Sequence, residues 1–196
     1  MSDRSFRLAP SDIDLAFQRK EFCLVYQPKV DLATSQMQGA EAFIRWQHPQ
    51  YGLLPPGLFL DFVEMHGKMP ELTAFVFETA FDAARKWTGA GKDWTISINV
   101  APGTVTAPDF CQGLSQLILH YGLKPERVII EIPERAVAQE PEALCEALIA
   151  IEGGAGATLA PSGLSACTLA ILAVGAAIPD FVGKVFAVDG RQLLTQ

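Results

Sequence analysis

Three predicted strands of the sequence carry polar side chains that could take part in chemistry. The stretch GAEAFIRWQHP places Glu41 and Arg45 four residues apart on one strand. Residues an even number apart on a strand share a face, so a carboxylate and a guanidinium point to the same side. Asn99 and Glu131 lie near the carboxyl ends of two later strands. In a (β/α)₈ barrel the active site lies at that end of the strands, so these residues are the candidates for chemistry.

The elements that must position these residues alternate between strand and helix after a first pair of strands. This order predicts a mainly parallel sheet with helices outside it. About six strands are predicted, fewer than a complete barrel of about 250 residues needs. The predicted strands are Phe22–Leu32, Gly39–Trp46, Trp94–Val100, Arg127–Ile132, Ala157–Ala160 and Phe181–Asp189. The predicted helices are Ser11–Glu21, Leu58–His66, Glu71–Thr88, Asp109–Tyr121, Pro141–Ile151 and Ala166–Ala177, and HPQYGLLPPG is predicted to be a loop.

Composition limits the class of protein. The chain has 196 residues, of which 49% are hydrophobic and 19% are charged, as in a globular domain. A net charge of −7 argues against a nucleic-acid polymer as partner. Four cysteines without a CxxC pair and three histidines argue against a zinc site and are typical of a cytoplasmic protein. The uncharged stretch Gly153–Pro179 is interrupted by glycine and proline, so no membrane span is expected.

Several short sequence motifs together resemble those of the EAL domain family, whose members hydrolyse cyclic di-GMP to linear pGpG. The resemblance covers about Leu15 to Glu134. It implies an α/β, TIM-barrel-like (β/α) EAL fold with one antiparallel strand, here incomplete. Residues 1–196 are then a single degenerate EAL domain, with an N-terminal segment and helix (1–21), a well-matched half (22–134) and a divergent half (135–196). The matching motifs are YQPKVDL, GAEAFIRWQHPQYGLLPPGLF, SINV and EIPE.

The resemblance also implies roles for the candidate residues. Glu41, Asn99 and Glu131 fall on positions that bind two divalent metals, magnesium or manganese, which prefer such oxygen ligands. Gln27 and Arg45 fall on positions that contact the dinucleotide, and the planar fork of arginine suits a phosphate. Without metal, Glu41 and Glu131 could instead be hydrogen-bonded acids, Asn99 a satisfied amide, and Arg45 a partner of either acid.

The divergent half departs from the family pattern at the remaining metal positions. Where the family has Asp-Asp-Phe-Gly, this chain has Ala160 and Pro161, which carry no side-chain oxygen. The family lysine aligns with Lys184 or with Ala187, and either alignment breaks the motif. The sequence stops at Gln196, before the family's last strands. No metal cofactor is therefore expected, and magnesium or manganese would be needed only if activity remains.

These departures predict a catalytically inactive EAL-like regulatory module that acts through protein–protein interaction. Its partner would be another regulatory protein or a second copy of the chain, because exposed strand edges and the apolar helix Ala166–Ala177 favour contact. Alternatively, that helix folds over the open part of the barrel and stays buried. A second hypothesis is a non-catalytic cyclic di-GMP receptor, and a third is an active phosphodiesterase.

Overall fold

The computed structural model of the protein describes residues 7–133 and 158–162, the latter as a strand. The predicted helices Pro141–Ile151 and Ala166–Ala177 and the predicted strand Phe181–Asp189 lie outside the described residues, as do Lys184 and Ala187. No helix in the described part of the chain is long and apolar enough to cross a membrane.

The predicted elements that lie within the described residues occur in the predicted order, with small shifts at their ends, and short additional elements occur between them. The strands are β1 (Phe22–Val30), β2 (Met37–His48), β3 (Gly52–Leu54), β4 (Thr95–Asn99), β5 (Val128–Pro133) and β6 (Thr158–Ser162). The α-helices are α1 (Pro10–Gln18), α2 (Leu60–Met65), α3 (Met69–Gly89), α4 (Pro102–Val105) and α5 (Phe110–Tyr121). Two short 3₁₀ helices cover Pro56–Leu58 and Pro125–Arg127.

The strands form one mixed sheet in the order β1-β2-β4-β5-β6. β1 runs antiparallel to β2, while β2, β4, β5 and β6 are parallel neighbours, as the sequence predicts. The expectation that HPQYGLLPPG is entirely loop was wrong. Gly52 adopts a positive φ of 74°, which allows the chain to turn back, and β3 then pairs antiparallel with β2.

One face of the sheet is apolar and packs against helices. Its side chains come from alternate positions of β2, β4 and β5, as the period of a strand requires. They lie in one cluster with buried residues of α3 and α5, such as Phe81 and Ile118. The buried strand residues of this cluster are Ala42, Ile96, Ile98, Val128, Ile130 and Ile132.

A second apolar cluster holds the carboxyl-terminal end of β2, which follows Glu41 and Arg45. Trp46 is fully buried, with its ring 5.3 Å from that of Phe22 and 5.7 Å from that of Phe59. The indole N–H donates to Glu21 at 3.0 Å, which satisfies the polar atom of this buried ring. This anchoring holds the register of β2 and therefore the direction of its polar side chains.

Helix α1 begins one residue earlier than predicted, and its first turn is built differently. Serine is a favoured capping residue, but Ser11 lies inside the helix and does not cap it. Instead Pro10 is the first helical residue, and the carboxylate of Asp12 accepts the Ala9 backbone N–H at 2.7 Å. Proline at the first helical position has no N–H to satisfy, which favours this start.

Gly39 allows β2 to lie close to β4. It pairs with Thr95 in the parallel register, and a Cβ at Gly39 would overlap both the carbonyl oxygen and the hydroxyl of Thr95. The hydroxyl could rotate away, but the carbonyl belongs to the strand backbone and cannot move without disturbing the ladder. A glycine is therefore required at position 39, two residues before Glu41.

We predict that Gly39→Ala lowers the free energy of unfolding by about 1–3 kcal/mol because of this overlap. Gly113→Ala is the matched control, since Gly113 lies in α5 with open space around the added methyl group. That control should be neutral or stabilising by about 0.5–1 kcal/mol. Urea denaturation measures both variants, and equal midpoints for the two would contradict the proposed role of Gly39.

Candidate functional site

The register of the sheet brings the predicted polar residues onto its second face. Gln27 of β1 is the cross-strand partner of Glu41, and Glu41 is the partner of Ser97 on the other side. Asn99 of β4 is in turn the partner of Glu131. Since paired residues share a face, all five side chains project from the side opposite the helices.

Glu41 and Asn99 are joined directly. The Asn99 amide nitrogen donates to Oε1 of Glu41 at 2.7 Å, although the two residues are 58 positions apart in sequence. Asn99 thus presents its donor group to a carboxylate, whereas a metal ligand presents its carbonyl oxygen. This contact uses the amide nitrogen of Asn99 and does not involve its carbonyl oxygen.

Lys29 is the residue on this face that the sequence interpretation missed. Its ammonium group donates to Glu131 at 2.5 Å and to the Ser97 hydroxyl at 2.6 Å. Glu131 is only 5% exposed, and Ser97 is completely buried. One signal could have identified Lys29: it lies two residues after Gln27 on the same strand and therefore shares its face. A buried acid on that face also needs a positive partner.

Arg45 lies on the same strand face as Glu41 but forms no ion pair with Glu41 or with Glu131. Its guanidinium donates to the Ile44 carbonyl at 2.8 Å and lies 5.7 Å from the centre of the Phe43 ring. The structure does not show the alternative in which Arg45 pairs with one of the two acids, and Asn99 and Lys29 contact those carboxylates instead. Among residues 7–133 and 158–162, the Arg45 guanidinium has no carboxylate partner.

The described residues do not fit a two-metal centre. In the β5–β6 register the partner of Glu131 is Ala160, and Pro161 follows opposite Ile132, so β6 supplies no carboxylate at this point of the sheet. Within residues 7–133 and 158–162 no group of three or more His, Cys, Asp or Glu residues is arranged to hold a metal ion. Two carboxylates, one occupied by an amide and the other by an ammonium group, are too few for a pair of divalent ions.

The surroundings of Glu41 change the pKa of its carboxyl group. Burial of the Glu41 carboxyl is the largest cause that raises its pKa above the usual value of 4.5, and the nearby Glu131 raises it further. The Asn99 amide and the Lys29 ammonium group act in the opposite direction. The net result is a raised pKa, so keeping Glu41 ionised in the folded chain is unfavourable.

The comparisons with known proteins show which family the chain resembles. The sequence profile of the EAL domain matches residues 11–173. An uncharacterised protein of Synechocystis is 36% identical over 138 residues, which is 70% of this chain and 20% of the relative. The bifunctional diguanylate cyclase/cyclic di-GMP phosphodiesterase MucR of Pseudomonas aeruginosa is 32% identical over 133 residues, 67% of this chain and 19% of its own length. The chain thus spans about a fifth of each of these two relatives.

Solved structures give the same likeness. The PaMucR phosphodiesterase in complex with c-di-GMP has a TM-score of 0.73 at 29% identity, covering 79% of this chain and 64% of that one. An EAL domain protein of Listeria monocytogenes has a TM-score of 0.68 at 28% identity, covering 87% and 66%. The TIM-barrel-like α/β fold expected from the sequence is confirmed by this likeness.

We predict that Glu41→Gln stabilises the protein at neutral pH and not in acid. A carboxyl with a raised folded pKa favours folding while it is protonated, and this contribution is lost as the pH rises through that pKa. Glutamine keeps the acceptor for Asn99 and removes the charge. Urea denaturation at about pH 7 should therefore favour the variant, and the difference should vanish below the ordinary glutamate pKa of 4.5.

Glu78→Gln is the control for this comparison, because Glu78 is an exposed glutamate of α3. Surface substitutions of this kind usually change stability by less than about 0.5 kcal/mol. A Glu41→Gln variant that is less stable than the parent chain at neutral pH would contradict the unfavourable ionisation of Glu41.

Proposed function

Since the chain belongs to the EAL domain family, we propose that it is a non-catalytic regulatory module of cyclic di-GMP signalling that acts by binding another protein. The observation that carries this proposal is the position of Ala160 beside Glu131 in the β5–β6 register. The family motif that resembles this stretch has an aspartate at that place, and its carboxylate would complete a metal centre. An alanine cannot replace it.

The size of the expected loss supports a non-catalytic role. Removal of a single group that only supports a metal ligand typically lowers metal affinity or activity about 10–100-fold. Here two direct ligand positions are Ala160 and Pro161. Phosphodiester hydrolysis with two metals depends on both ions for the attacking and the leaving oxygen, so we expect a much larger loss.

An open strand edge supports the protein-binding part of the proposal. Within residues 7–133 and 158–162, β1 pairs only with β2, so its other edge has no strand partner in this part of the chain. Val30 is about half exposed, and Leu32, just beyond the end of β1, is 97% exposed. Apolar residues at an unpaired edge favour association with another chain. The partner would be a regulatory protein or a second copy, in the cytoplasm.

A second candidate, a non-catalytic cyclic di-GMP receptor, is favoured by one observation. The Arg45 guanidinium has no carboxylate partner among the described residues and lies on the same sheet face as Gln27. An arginine in that situation is available for a phosphate. PaMucR and a FimX EAL domain are both solved in complex with cyclic di-GMP, although FimX is only 17% identical and shows the fold alone.

We predict that the chain does not convert cyclic di-GMP to linear pGpG when magnesium or manganese is supplied. The reason is the missing carboxylates beside Glu131, and chromatography of the nucleotides is the measurement. Product formation that disappears in the Glu41→Ala variant would overturn the proposal, because such turnover would arise from this site.

We also predict that calorimetric titration with cyclic di-GMP gives no binding in the micromolar range. Sedimentation equilibrium is a separate measurement that tests whether the chain self-associates. Arg45→Ala separates the two candidates, with Arg85→Ala as the control because, among the described residues, the exposed Arg85 pairs only within α3, with Asp82. Micromolar binding that is lost in Arg45→Ala and kept in Arg85→Ala would establish the receptor instead of the protein-binding module.

A further inference from the structure

The ammonium group of Lys29 lies where the acidic side chains of the sheet converge. It contacts Glu131 at 2.5 Å and Ser97 at 2.6 Å, and it is near enough to Glu41 to lower the pKa of that residue. Its surroundings are therefore two carboxylates and a hydroxyl. These oxygen groups are also the kind that a hard divalent cation prefers.

Burial makes a cation necessary at this place. The Glu131 side chain is 6% exposed, whereas the side chain of Lys29 is 35% exposed. An ionised carboxylate that is removed from water without a positive partner is strongly unfavourable. Among the described residues Lys29 is the one base that forms an ion pair with Glu131. The lysine thus supplies the charge that a metal ion would supply in a complete centre.

Lys29 reaches Glu131 across the sheet. Strands β2 and β4 lie between β1 and β5, and three strand spacings in a flat sheet amount to about 14 Å, which a lysine side chain cannot span. The contact therefore requires a curled sheet. It also requires room above β2, and the residue paired with Lys29 there is Gly39, which has no side chain. The course of the Lys29 side chain to Glu131 therefore depends on the curvature of the sheet and on Gly39.

We propose that Lys29 is a built-in counter-ion that occupies the Glu131 position and keeps divalent metal ions from binding there. The inference deepens the proposed non-catalytic function and rests on it. The acidic face is held together by a covalently attached cation, so its order is independent of the metal concentration around the protein. A metal ion could bind Glu131 only after displacing an ammonium group that the chain itself holds in place.

The test is Mn²⁺ binding to the full chain, measured by the loss of the free-ion signal in electron paramagnetic resonance. The parent chain should not bind Mn²⁺ in the millimolar range, and Lys29→Met should bind at least about tenfold more tightly, comparable to the smallest effects of removing a ligand's support. The double variant Lys29→Met/Glu131→Gln should lose that binding. Lys29→Arg keeps the charge and should behave like the parent chain.

Lys68→Met is the matched control. Lys68 also bridges two carboxylates, Asp14 at 3.0 Å and Glu71 at 3.2 Å, and its side chain is 31% exposed. Those acids are more than half exposed, so removing their lysine leaves no buried charge that needs a cation. Binding of Mn²⁺ should be the same in Lys68→Met as in the parent chain.

Three results would overturn the proposal: Mn²⁺ binding to the parent chain as tight as to Lys29→Met, no gain in Lys29→Met, or a gain that the Glu131→Gln change leaves intact. If Lys29→Met unfolds, circular dichroism with added Mn²⁺ decides, since recovery of the fold supports the counter-ion role. If the fold is not recovered, Mn²⁺ binding is measured for Lys29→Gln in place of Lys29→Met, and the same outcomes support or overturn the proposal. No dinucleotide is present, so these results are independent of the hydrolysis assay.

Discussion

A buried carboxylate on the polar face of the sheet needs a positive charge, and the rest of the site depends on how that charge is supplied. Lys29 reaches over β2 and β4 to supply it to Glu131 on β5. The contact requires a curled sheet and open space above β2, which Gly39, the partner of Lys29 in the β1–β2 register, provides. One ion pair therefore links the strand order, the curvature and the placement of a glycine.

The apolar face provides the stability that this polar arrangement requires. Burial of Ile96, Ile98 and Ile130 against α3 and α5 is the favourable contribution, at roughly 1.5–3 kcal/mol for each large side chain. The alternation of a strand means that this packing also determines which residues face the other way. Glu41, Asn99 and Glu131 share the polar face because their neighbours in sequence share the apolar face. Fold and site are thus specified by the same two-residue period.

The position of β6 beside β5 explains why an EAL signature does not by itself imply catalysis. The motif around Glu41 and Arg45 matches the family closely, with Phe43 at the third position of the signature, and the strand that carries it pairs with β1 and β4. Metal chemistry needs ligands from several strands at one level of the sheet, and the neighbour of Glu131 at that level is Ala160. The carboxylates that remain are held by an amide and by a lysine. The strands therefore keep their geometry, but β6 offers no carboxylate beside Glu131 at that level.

The sequence alone determined the family and the order of the main strands and helices, because strand periodicity and rare motifs are local properties of the chain. For the same reason it identified the candidates Gln27, Glu41, Arg45, Asn99 and Glu131. It also determined that Ala160 and Pro161 cannot bind a metal, since this follows from side-chain chemistry. It did not identify the partners of the candidates. Only the tertiary structure assigned Asn99 to Glu41, Lys29 to Glu131 and the Ile44 carbonyl to Arg45. Two of these contacts join residues 58 and 102 positions apart, and such pairings depend on register and curvature, which no local pattern encodes.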